Sequence, residues 1–541
     1  MADRPFHERL VFHAGEKLYA RRLRDGTTEL LLENLPQQAG CFFRYNEELY
    51  YKTKGAYLRV SFDAQTDALT AEAVAAYTPV TLINADPDGG AGDLYQPENR
   101  LSAEKTVWFN AKDGVTVYHL PVGDIDAVTK VTVDGEALES TDYTVDAAAG
   151  TVTFQSAPPV TDPPVNNTVC VTYAKANPEA YASVMDCCCA AVCGGTGALC
   201  VVLAGSEAQP NAYFWNGSHI AMDPGYFPMP QFQLAGDSSD PITAFGKQQS
   251  YLIVLKANSI GRTAVSETKL DGRATLDMPF VPINSELGCD KPGTLCLVEN
   301  NLVWAHSRHG VLRLRDTSAA YENNVVCISR KVNGGAVKGL LEDLKDGPAC
   351  ACDDGHRYLL AASGHAWVWD YELSEPDDPA WFYWTEIGAR AFAVDGERVC
   401  HLDEQGRLSA FERVYADYGR AIEKVYRFAT EHFGGYDRLK NVNSVVLVMR
   451  SDTNATASLS YLTDHERRED RSELRAWSWM LSPRNLSFRS LRGRGFASVF
   501  RRSCRCRGVR HFAMRLYNDR VGQDLSVVSA QVFYNYQGRQ R

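Results

Sequence analysis

The sequence predicts an all-β protein: a six- or seven-bladed β-propeller with an inserted small β domain and a C-terminal antiparallel β-sandwich. A unit of about 22 residues, with the order strand, polar turn, strand, polar turn, strand, recurs along the chain. A different β pattern interrupts the series, and an arginine-rich β segment follows it. Because one small meander cannot bury its apolar faces alone, regularly spaced copies are expected to stack around an axis.

The repeated unit is clearest in five places and weaker in two more. The clear copies occupy residues 41–62, 243–265, 296–316, 350–372 and 391–412, and the weaker ones occupy residues 10–31 and 184–217. Asp354-Gly355, Asp395-Gly396 and Asn300-Asn301 are expected to supply the positive φ that tight hairpins need. The starts at 243, 296, 350 and 391 lie about 41 to 54 residues apart, a spacing typical of one propeller blade per repeat.

A second β module lies between the second and third copies. Residues 84–99 form a loop rich in Gly, Pro and Asp, and residues 106–173 show their own apolar alternation with hairpin turns. We therefore predict propeller blades 1 and 2 in residues 1–96, an inserted small β domain in 97–176 and the remaining blades in 177–415. A basic β-sandwich domain is predicted in 416–541.

Composition indicates a folded globular protein. Of the 541 residues, 45% are hydrophobic and 23% are charged. Met1 to Arg9 is polar, and no apolar run is long enough to cross a bilayer, so synthesis in a cytosol without membrane insertion is expected. The 15 cysteines are few for this length and odd in number, which favours free thiols in a reducing compartment.

No metal site and no cofactor are predicted. The densest cysteine cluster contains Cys187, Cys188, Cys189, Cys193 and Cys200. Thiolates this close can converge on zinc, but three consecutive cysteines on a strand point to alternating faces, and no paired CxxC spacing exists. Buried packing is therefore favoured there, and the aspartates of the 84–99 loop do not keep a known calcium-loop register.

The sequence does not predict an enzyme. A phosphate-binding loop, HExxH, GxSxG, a dinucleotide fingerprint and cysteine-nucleophile signatures are all missing from it. A propeller glycosidase stays open as an alternative, because its paired acids come from different blades and leave no linear motif.

Charge is strongly segregated along the chain. Residues 466–541 hold 17 Arg and 6 acidic residues, a net +11, whereas the whole chain carries −11 and residues 1–465 therefore −22. Phe488, Phe496 and Phe500 interleave with the arginines, so the segment is expected to face phosphates, to dock an acidic protein surface, or to be a solvated strand face. The candidate docking residues are Arg492, Arg494, Arg501, Arg502, Arg505, Arg507 and Arg510.

In the order of its elements the chain resembles tailed-bacteriophage virion proteins of the packaged-DNA stabilisation and tail hub or nozzle family. The resemblance covers most of the chain. It is carried by short segments in order: 77–79, 98–101, the module at 131–159, 223–228, 242–260, 288–304, 367–371 and 524–526. It implies a non-enzymatic virion structural protein at the head-tail connector, tail hub or tail tip, made in the bacterial host cytoplasm.

The resemblance also implies the partners. They are other virion proteins (portal, connector, tail tube or baseplate components), further copies of the chain in a homo-oligomer, and double-stranded DNA that the protein would retain or guide. An acidic wall would let DNA slide, while a basic face would dock acidic neighbours or touch phosphate.

A receptor- or glycan-binding propeller at the tail tip is the first alternative. Exposed aromatic side chains lying together on a blade-top loop would favour it. The candidates are Tyr213, Phe214 and Trp215.

Overall fold

A computed structural model describes residues 6–195, 198–218, 220–270, 273–317, 324–335, 338–375, 378–396, 398–412, 414–435, 437–451, 453, 455–464, 467–476 and 497–537. The protein is all-β, with two short α-helices in the described residues. It divides into two compact units, Met1–Phe411 and Glu412–Arg541. No helix in these described ranges is both long enough and apolar enough to span a membrane.

The first unit begins with two antiparallel meanders. Sheet 1 has the strand order β1-β2-β3, and sheet 2 has the order β4-β5-β6-β7. Their strands are β1 (Arg9–Ala14), β2 (Lys17–Arg22), β3 (Thr28–Leu32), β4 (Cys41–Tyr45), β5 (Glu48–Thr53), β6 (Ala56–Asp63) and β7 (Ala68–Ala73).

An inserted module follows sheet 2. Its strands are β8 (Val80–Ala85), β9 (Asp93–Leu94), β10 (Glu104–Phe109), β11 (Val117–His119), β12 (Ala127–Val133), β13 (Glu136–Ala137), β14 (Tyr143–Asp146), β15 (Thr151–Phe154) and β16 (Val169–Ala174). They form a six-stranded sheet, β13-β12-β16-β10-β8-β9, and a three-stranded sheet, β11-β15-β14, over one core that includes Phe109 and Tyr118. Because β8 pairs in parallel with β10, this sheet begins at Val80 and not at the expected residue 97.

Helix α1 (Pro178–Met185) leads from the module into sheet 3. The side chain of Asn177 caps it by accepting a hydrogen bond from the backbone N–H of Ala180, which satisfies one of the unpaired donors of the first turn. Pro178 at the first helical position has no N–H that would need a partner. The helix therefore starts where its sequence provides the start signals.

Five more antiparallel sheets follow in chain order in the first unit, and all but sheet 4 are built from consecutive strands. Sheet 3 contains β17 (Cys189–Gly195), β18 (Ala198–Ala204), β19 (Ala212–Trp215) and β20 (Phe232–Leu234). Sheet 4 contains β21 (Ile242–Gln248), β22 (Tyr251–Lys256), β23 (Ile260–Thr263) and β26 (Val281–Asn284), with the hairpin β24 (Ser266–Leu270) and β25 (Arg273–Asp277) inserted.

The last three sheets of this unit repeat the pattern. Sheet 5 contains β27 (Cys296–Val298), β28 (Asn301–His306), β29 (Gly310–Leu314) and β30 (Val325–Cys327), and helix α2 (Leu340–Lys345) follows it. Sheet 6 contains β31 (Cys350–Asp353), β32 (Arg357–Ala362), β33 (His365–Glu375) and β34 (Asp378–Trp384). Sheet 7 contains β35 (Ala389–Asp395), β36 (Arg398–Asp403) and β37 (Leu408–Ala410).

Tight hairpins connect the first two strands in several of these sheets. Glu299 and Asn300 both have positive φ, 46° and 62°, as do Asn46 and Glu47 in sheet 2. Two consecutive positive φ values match the twist of a two-residue hairpin. The predicted turn pair Asn300-Asn301 is wrong by one position, because Asn301 already belongs to β28.

Both faces of the middle strands are buried. Side chains alternate across a strand, so Tyr50 of β5 packs against sheet 3 while Tyr51 packs against sheet 1. The same division places Val201 and Val202 of β18 in different clusters. Burial on both sides explains why these strands read as nearly continuous apolar runs.

Each of the first six sheets shares a buried cluster with the next sheet along the chain. A further cluster joins the two ends of the series: Leu10 and Phe12 of β1 pack with Ala393 of β35 and Leu402 of β36. The first sheet and the seventh are therefore in contact.

The second unit contains two antiparallel sheets and a short hairpin. Its strands are β38 (Ala416–Asp417), β39 (Arg420–Ala421), β40 (Lys424–Arg427), β41 (Lys440–Arg450), β42 (Ala455–Thr463), β43 (Arg467–Ala476), β44 (Ser498–Val509), β45 (Phe512–Asn518) and β46 (Ser526–Tyr536). The four-stranded sheet has the order β40-β45-β42-β43, and the three-stranded sheet has the order β44-β41-β46. One core, with Leu447 and Leu516 at 0% exposure, contains side chains from both sheets.

Candidate docking surface

The three-stranded sheet of the second unit carries only positive formal charges. Strands β44, β41 and β46 contain no Asp and no Glu. Their cationic residues are Lys440, Arg450, Arg501, Arg502, Arg505 and Arg507. The sheet is thus a continuous basic element built from segments that are distant in sequence.

Alternation along β44 decides which of these arginines face solvent. Arg501, Arg505 and Arg507 are exposed, whereas Cys504 and Cys506 between them are buried in the shared core. The three side chains therefore lie on the outer face of the sheet, on a strand that has one partner, β41, among the described strands. We call the outward residues Arg501, Ser503, Arg505, Arg507, Gln531 and Phe533 the basic face.

Arg501 reaches across the sheet to an aromatic ring. Its guanidinium carbon lies 5.6 Å from the ring centroid of Phe533, although β44 and β46 are separated by β41. Val446 of β41 pairs with Arg501, whereas Ser444 of β41 pairs with Phe533, so the contact runs diagonally across β41. Such a cation–π contact is worth about 0.5–1 kcal/mol at an exposed site, and it fixes Arg501 and Phe533 on one surface.

Arg505 has a left-handed backbone, with φ at 47°. The pairing of β44 with β41 shifts here: Val442 lies opposite Cys506, and Ser444 lies opposite Ser503. One residue of β41 therefore faces two of β44, which is a β-bulge. The bulge keeps Arg505 exposed between two buried cysteines, although a left-handed non-glycine residue costs roughly 1–2 kcal/mol.

The other predicted docking arginines differ in position. Arg502 is half-buried and lies opposite Val445, a core residue. The backbone N–H of Arg510 donates to the carboxylate of Asp464 at 3.0 Å, in the turn after β44. Arg492 and Arg494 lie outside the described residues. Phe500, expected among the interleaved aromatics, packs partly against the core, and Phe488 and Phe496 also lie outside the described residues.

Arg501, Arg505 and Arg507 have no ion-pair partner within the ranges that the structure describes. The neighbouring strands supply no carboxylate, which accounts for this. Sequence reasoning found the arginines but missed Phe533. The sequence does show that each of the three strands lacks Asp and Glu. Only strand pairing shows that the three belong to one sheet, with Phe533 on it.

The aromatic trio proposed for receptor contact is buried. Tyr213 and Phe214 have 0% exposure and Trp215 has 2%. All three lie within strand β19 and not on a loop. The expectation of an exposed cluster is therefore wrong, because sheets 2 and 4 cover the two faces of sheet 3.

A buried lysine lies next to the first cysteine of the cluster, Cys187. Lys52 is fully buried, and its Nζ donates to the carbonyl oxygens of Thr53, Met185 and Cys187 at 2.7, 2.8 and 2.6 Å. Burial raises the pKa of the Cys187 thiol to about 12. A hydrogen bond with Cys189, whose sulfur lies 3.9 Å away, lowers the pKa of Cys188 to about 7.

In the described parts of the chain, no three His, Cys, Asp or Glu side chains are grouped so that they could hold a metal ion. Two carboxylates of the 84–99 loop have local partners. Asp86 forms an ion pair with Lys112 at 2.9 Å, and Asp88 accepts a hydrogen bond from the backbone N–H of Gly90 at 3.0 Å.

No protein-family model and no curated protein matches this sequence. Among solved structures, the chain is similar to the extracellular domain of a B. thetaiotaomicron protein described as a one-component system. The identity is 8% and the TM-score 0.21, over 93% of this chain and 85% of that one. A glycoside hydrolase is similar over 64% of this chain and 96% of its own, at 10% identity and a TM-score of 0.20. At these TM-scores, neither likeness bears on fold or function.

Proposed function

We propose that residues 1–411 form a closed seven-bladed β-propeller and that this chain is a non-enzymatic structural protein of a tailed-bacteriophage virion. Its place would be the head-tail connector, the tail hub or the tail tip. The closed ring is supported by the buried cluster that Phe12 in the first sheet shares with Leu402 in the seventh, and the virion role is proposed from the resemblance in the order of the elements.

Ring closure has a physical reason. A linear stack of seven meanders would leave one apolar face bare on each terminal sheet, and contact between the first and last sheets covers both. Propellers also leave only short, protected strand edges. A ring of this kind supplies two broad rims for protein contacts, which suits a component of a larger assembly.

Two features of the chain support a scaffold role over the glycan-binding alternative. The aromatic trio 213–215 is part of the core, so the side chains that would have favoured sugar binding are not at the surface. The inserted module and the second unit add two further β bodies, each with its own core. In this proposal the second unit is a β-sandwich that offers the basic face to neighbouring molecules.

The proposal is tested on purified virions whose genome encodes the chain. We expect mass spectrometry of gradient-purified particles to detect the polypeptide, and immunogold labelling to place it at the tail axis. Non-structural proteins of the same genome serve as the negative control. Finding the chain in infected cells but not in particles would refute the virion role.

The fold is tested separately. Negative-stain class averages of the purified protein should show a disc with seven blades. Light scattering of the same sample reports whether it forms the homo-oligomer that a position on the tail axis requires. An open stack of sheets in the class averages would refute the closed ring.

A further inference from the structure

We infer that the basic face binds the phosphodiester backbone of nucleic acid. The inference deepens the proposed function, on which it rests for its biological setting, by naming the partner of one surface. It is carried by the combination of an acid-free sheet, three exposed arginines and one exposed aromatic ring.

Charge is the first argument. The three strands, of 11, 12 and 11 residues, contain cations and no anion. In the other sheet, β43 alone contains Glu469, Asp470 and Glu473. Protein–DNA interfaces are far more positive than protein–protein interfaces, so a single-signed sheet favours phosphate over a protein of mixed charge.

Spacing is the second argument. Outward residues two apart on a regular strand are separated by about 6.6–6.8 Å. Because of the bulge at Arg505, positions 501 to 507 extend over less than the roughly 20 Å of a regular strand. One DNA strand carries a phosphate about every 3.4 Å along its axis. The planar guanidinium fork of each arginine matches two phosphate oxygens. The outer face of β44 can therefore follow a backbone over several nucleotides.

The apolar component is the third argument. Phe533 is 46% exposed and lies beside Arg501. Val499, which is on the same strand as Arg501, is also exposed. An aromatic ring next to cations gives a base or sugar a stacking surface, as in proteins that bind single strands. Duplex and single-stranded DNA share the phosphodiester chemistry, and the test separates them.

The test is fluorescence anisotropy with the full-length protein and a labelled 24-base oligonucleotide, single-stranded or as duplex, over a salt series. We expect binding that weakens with salt. In the triple variant Arg501→Gln/Arg505→Gln/Arg507→Gln, the slope of log affinity against log salt should fall by about 3, close to one unit per arginine. Affinity at low salt should fall at least about tenfold.

Two controls and one fallback measurement accompany the test. The triple lysine variant keeps the charges and should retain most of the slope. Arg515→Gln, on β45 of the other sheet, removes one arginine elsewhere and should leave the slope unchanged. If the triple glutamine variant does not fold, Arg501→Gln and Arg505→Gly are measured singly, since glycine accepts the positive φ at 505, and each should lower the slope by about one.

Several outcomes overturn the inference. They are absence of DNA binding by the wild type, an unchanged slope in the triple variant, or arginine-dependent binding of polyglutamate in place of DNA, which would assign the face to an acidic protein. Tighter binding of the single strand would assign Phe533 to stacking, and Phe533→Ala should then remove the preference. A negative DNA-binding result would not change the outcome of virion labelling. Conversely, absence of the protein from virions would not change the result of the DNA-binding test.

Discussion

The ammonium nitrogen of Lys52 lies 2.6 Å from the carbonyl oxygen of Cys187, and both residues are fully buried. Lys52 belongs to sheet 2, whereas Cys187 lies between α1 and sheet 3. One side chain thus ties two consecutive sheets together at the point where the chain returns from the inserted module.

Replacing Lys52 by Met should destabilise the protein strongly. The substitution removes this donor from the carbonyl oxygens of Thr53, Met185 and Cys187. The Met185 oxygen still accepts from the backbone N–H of Gly55, and a buried carbonyl that is left unpaired costs about 1–3 kcal/mol. We expect a loss of about 3 kcal/mol or more in the free energy of unfolding, measured by urea denaturation. Lys54→Met is the matched control, because its ion pair with Glu207 is screened by solvent and should affect stability little.

The shifted pKa of Lys52 predicts that its contribution to the free energy of unfolding depends on pH. Burial lowers the pKa of Lys52 to about 8, against 10.5 for a free side chain. Between these values the unfolded chain binds more protons than the folded one, so the contribution of Lys52 to stability rises with pH through that window. The difference in free energy of unfolding between wild type and Lys52→Met should therefore widen from pH 8 to pH 10. A narrowing difference would contradict the assignment.

Phe12→Ala should destabilise the packing between the first sheet and the seventh. The substitution opens a cavity in the cluster shared with Ala393 and Leu402, at a cost of about 3 kcal/mol or more. Hydrogen exchange should then accelerate in residues 389–403 as well as in β1. A change confined to residues 9–22 would show that the seventh sheet does not depend on the first.

Asn99 is expected to stabilise the contact between the inserted module and residues 225–227 of the connection from β19 to β20. Its Nδ2 donates to the carbonyl oxygens of Tyr77 and Gly225, both at 2.8 Å. Its Oδ1 accepts from the backbone N–H groups of Leu101 and Phe227, at 3.1 and 2.9 Å. Asn99→Ala should cost about 3 kcal/mol by thermal or urea unfolding.

A surface asparagine provides the comparison for Asn99. Asn258 is exposed and bonds to Asp240, so Asn258→Ala should change stability by less than about 1 kcal/mol. Equal effects of the two substitutions would mean that the buried amide network does not stabilise the unit.

Thiol labelling should be selective in the native protein. Burial raises the pKa of Cys187, Cys200 and Cys289 to about 12, so these thiols stay protonated and shielded. Cys188 is partly exposed and its pKa is lowered to about 7, so iodoacetamide at pH 7.5 should modify it first. Peptide mapping after a short pulse checks this. Cys188→Ser should remove the fast phase, and a fast phase that persists would assign it to another thiol.

The positions of the meanders could be predicted from local signals. Apolar middle strands and polar turns are properties of adjacent residues, so the copies starting near 41, 243, 296, 350 and 391 correspond to sheets 2, 4, 5, 6 and 7. The arginine excess of the C-terminal segment was equally visible, because charge is read directly from composition.

The candidate site depended on pairing that no local pattern contains. Only strand pairing places β44 beside β41 and brings Arg501 over Phe533, a residue 32 positions later. The start of the inserted module at Val80 was missed for the same reason, since the parallel pairing of β8 with β10 joins segments that the loop 84–99 separates.

By itself, then, the sequence determined that the chain is all-β, where its small meanders lie and that its basic charge is concentrated near the C-terminus, because strand propensity, turn chemistry and charge act over neighbouring residues. Tertiary structure alone decided that Lys52 and the aromatics at 213–215 are buried and which arginines share one outer face. Neighbouring sheets and strands decide burial and pairing, and those neighbours are formed by residues that are distant in the sequence.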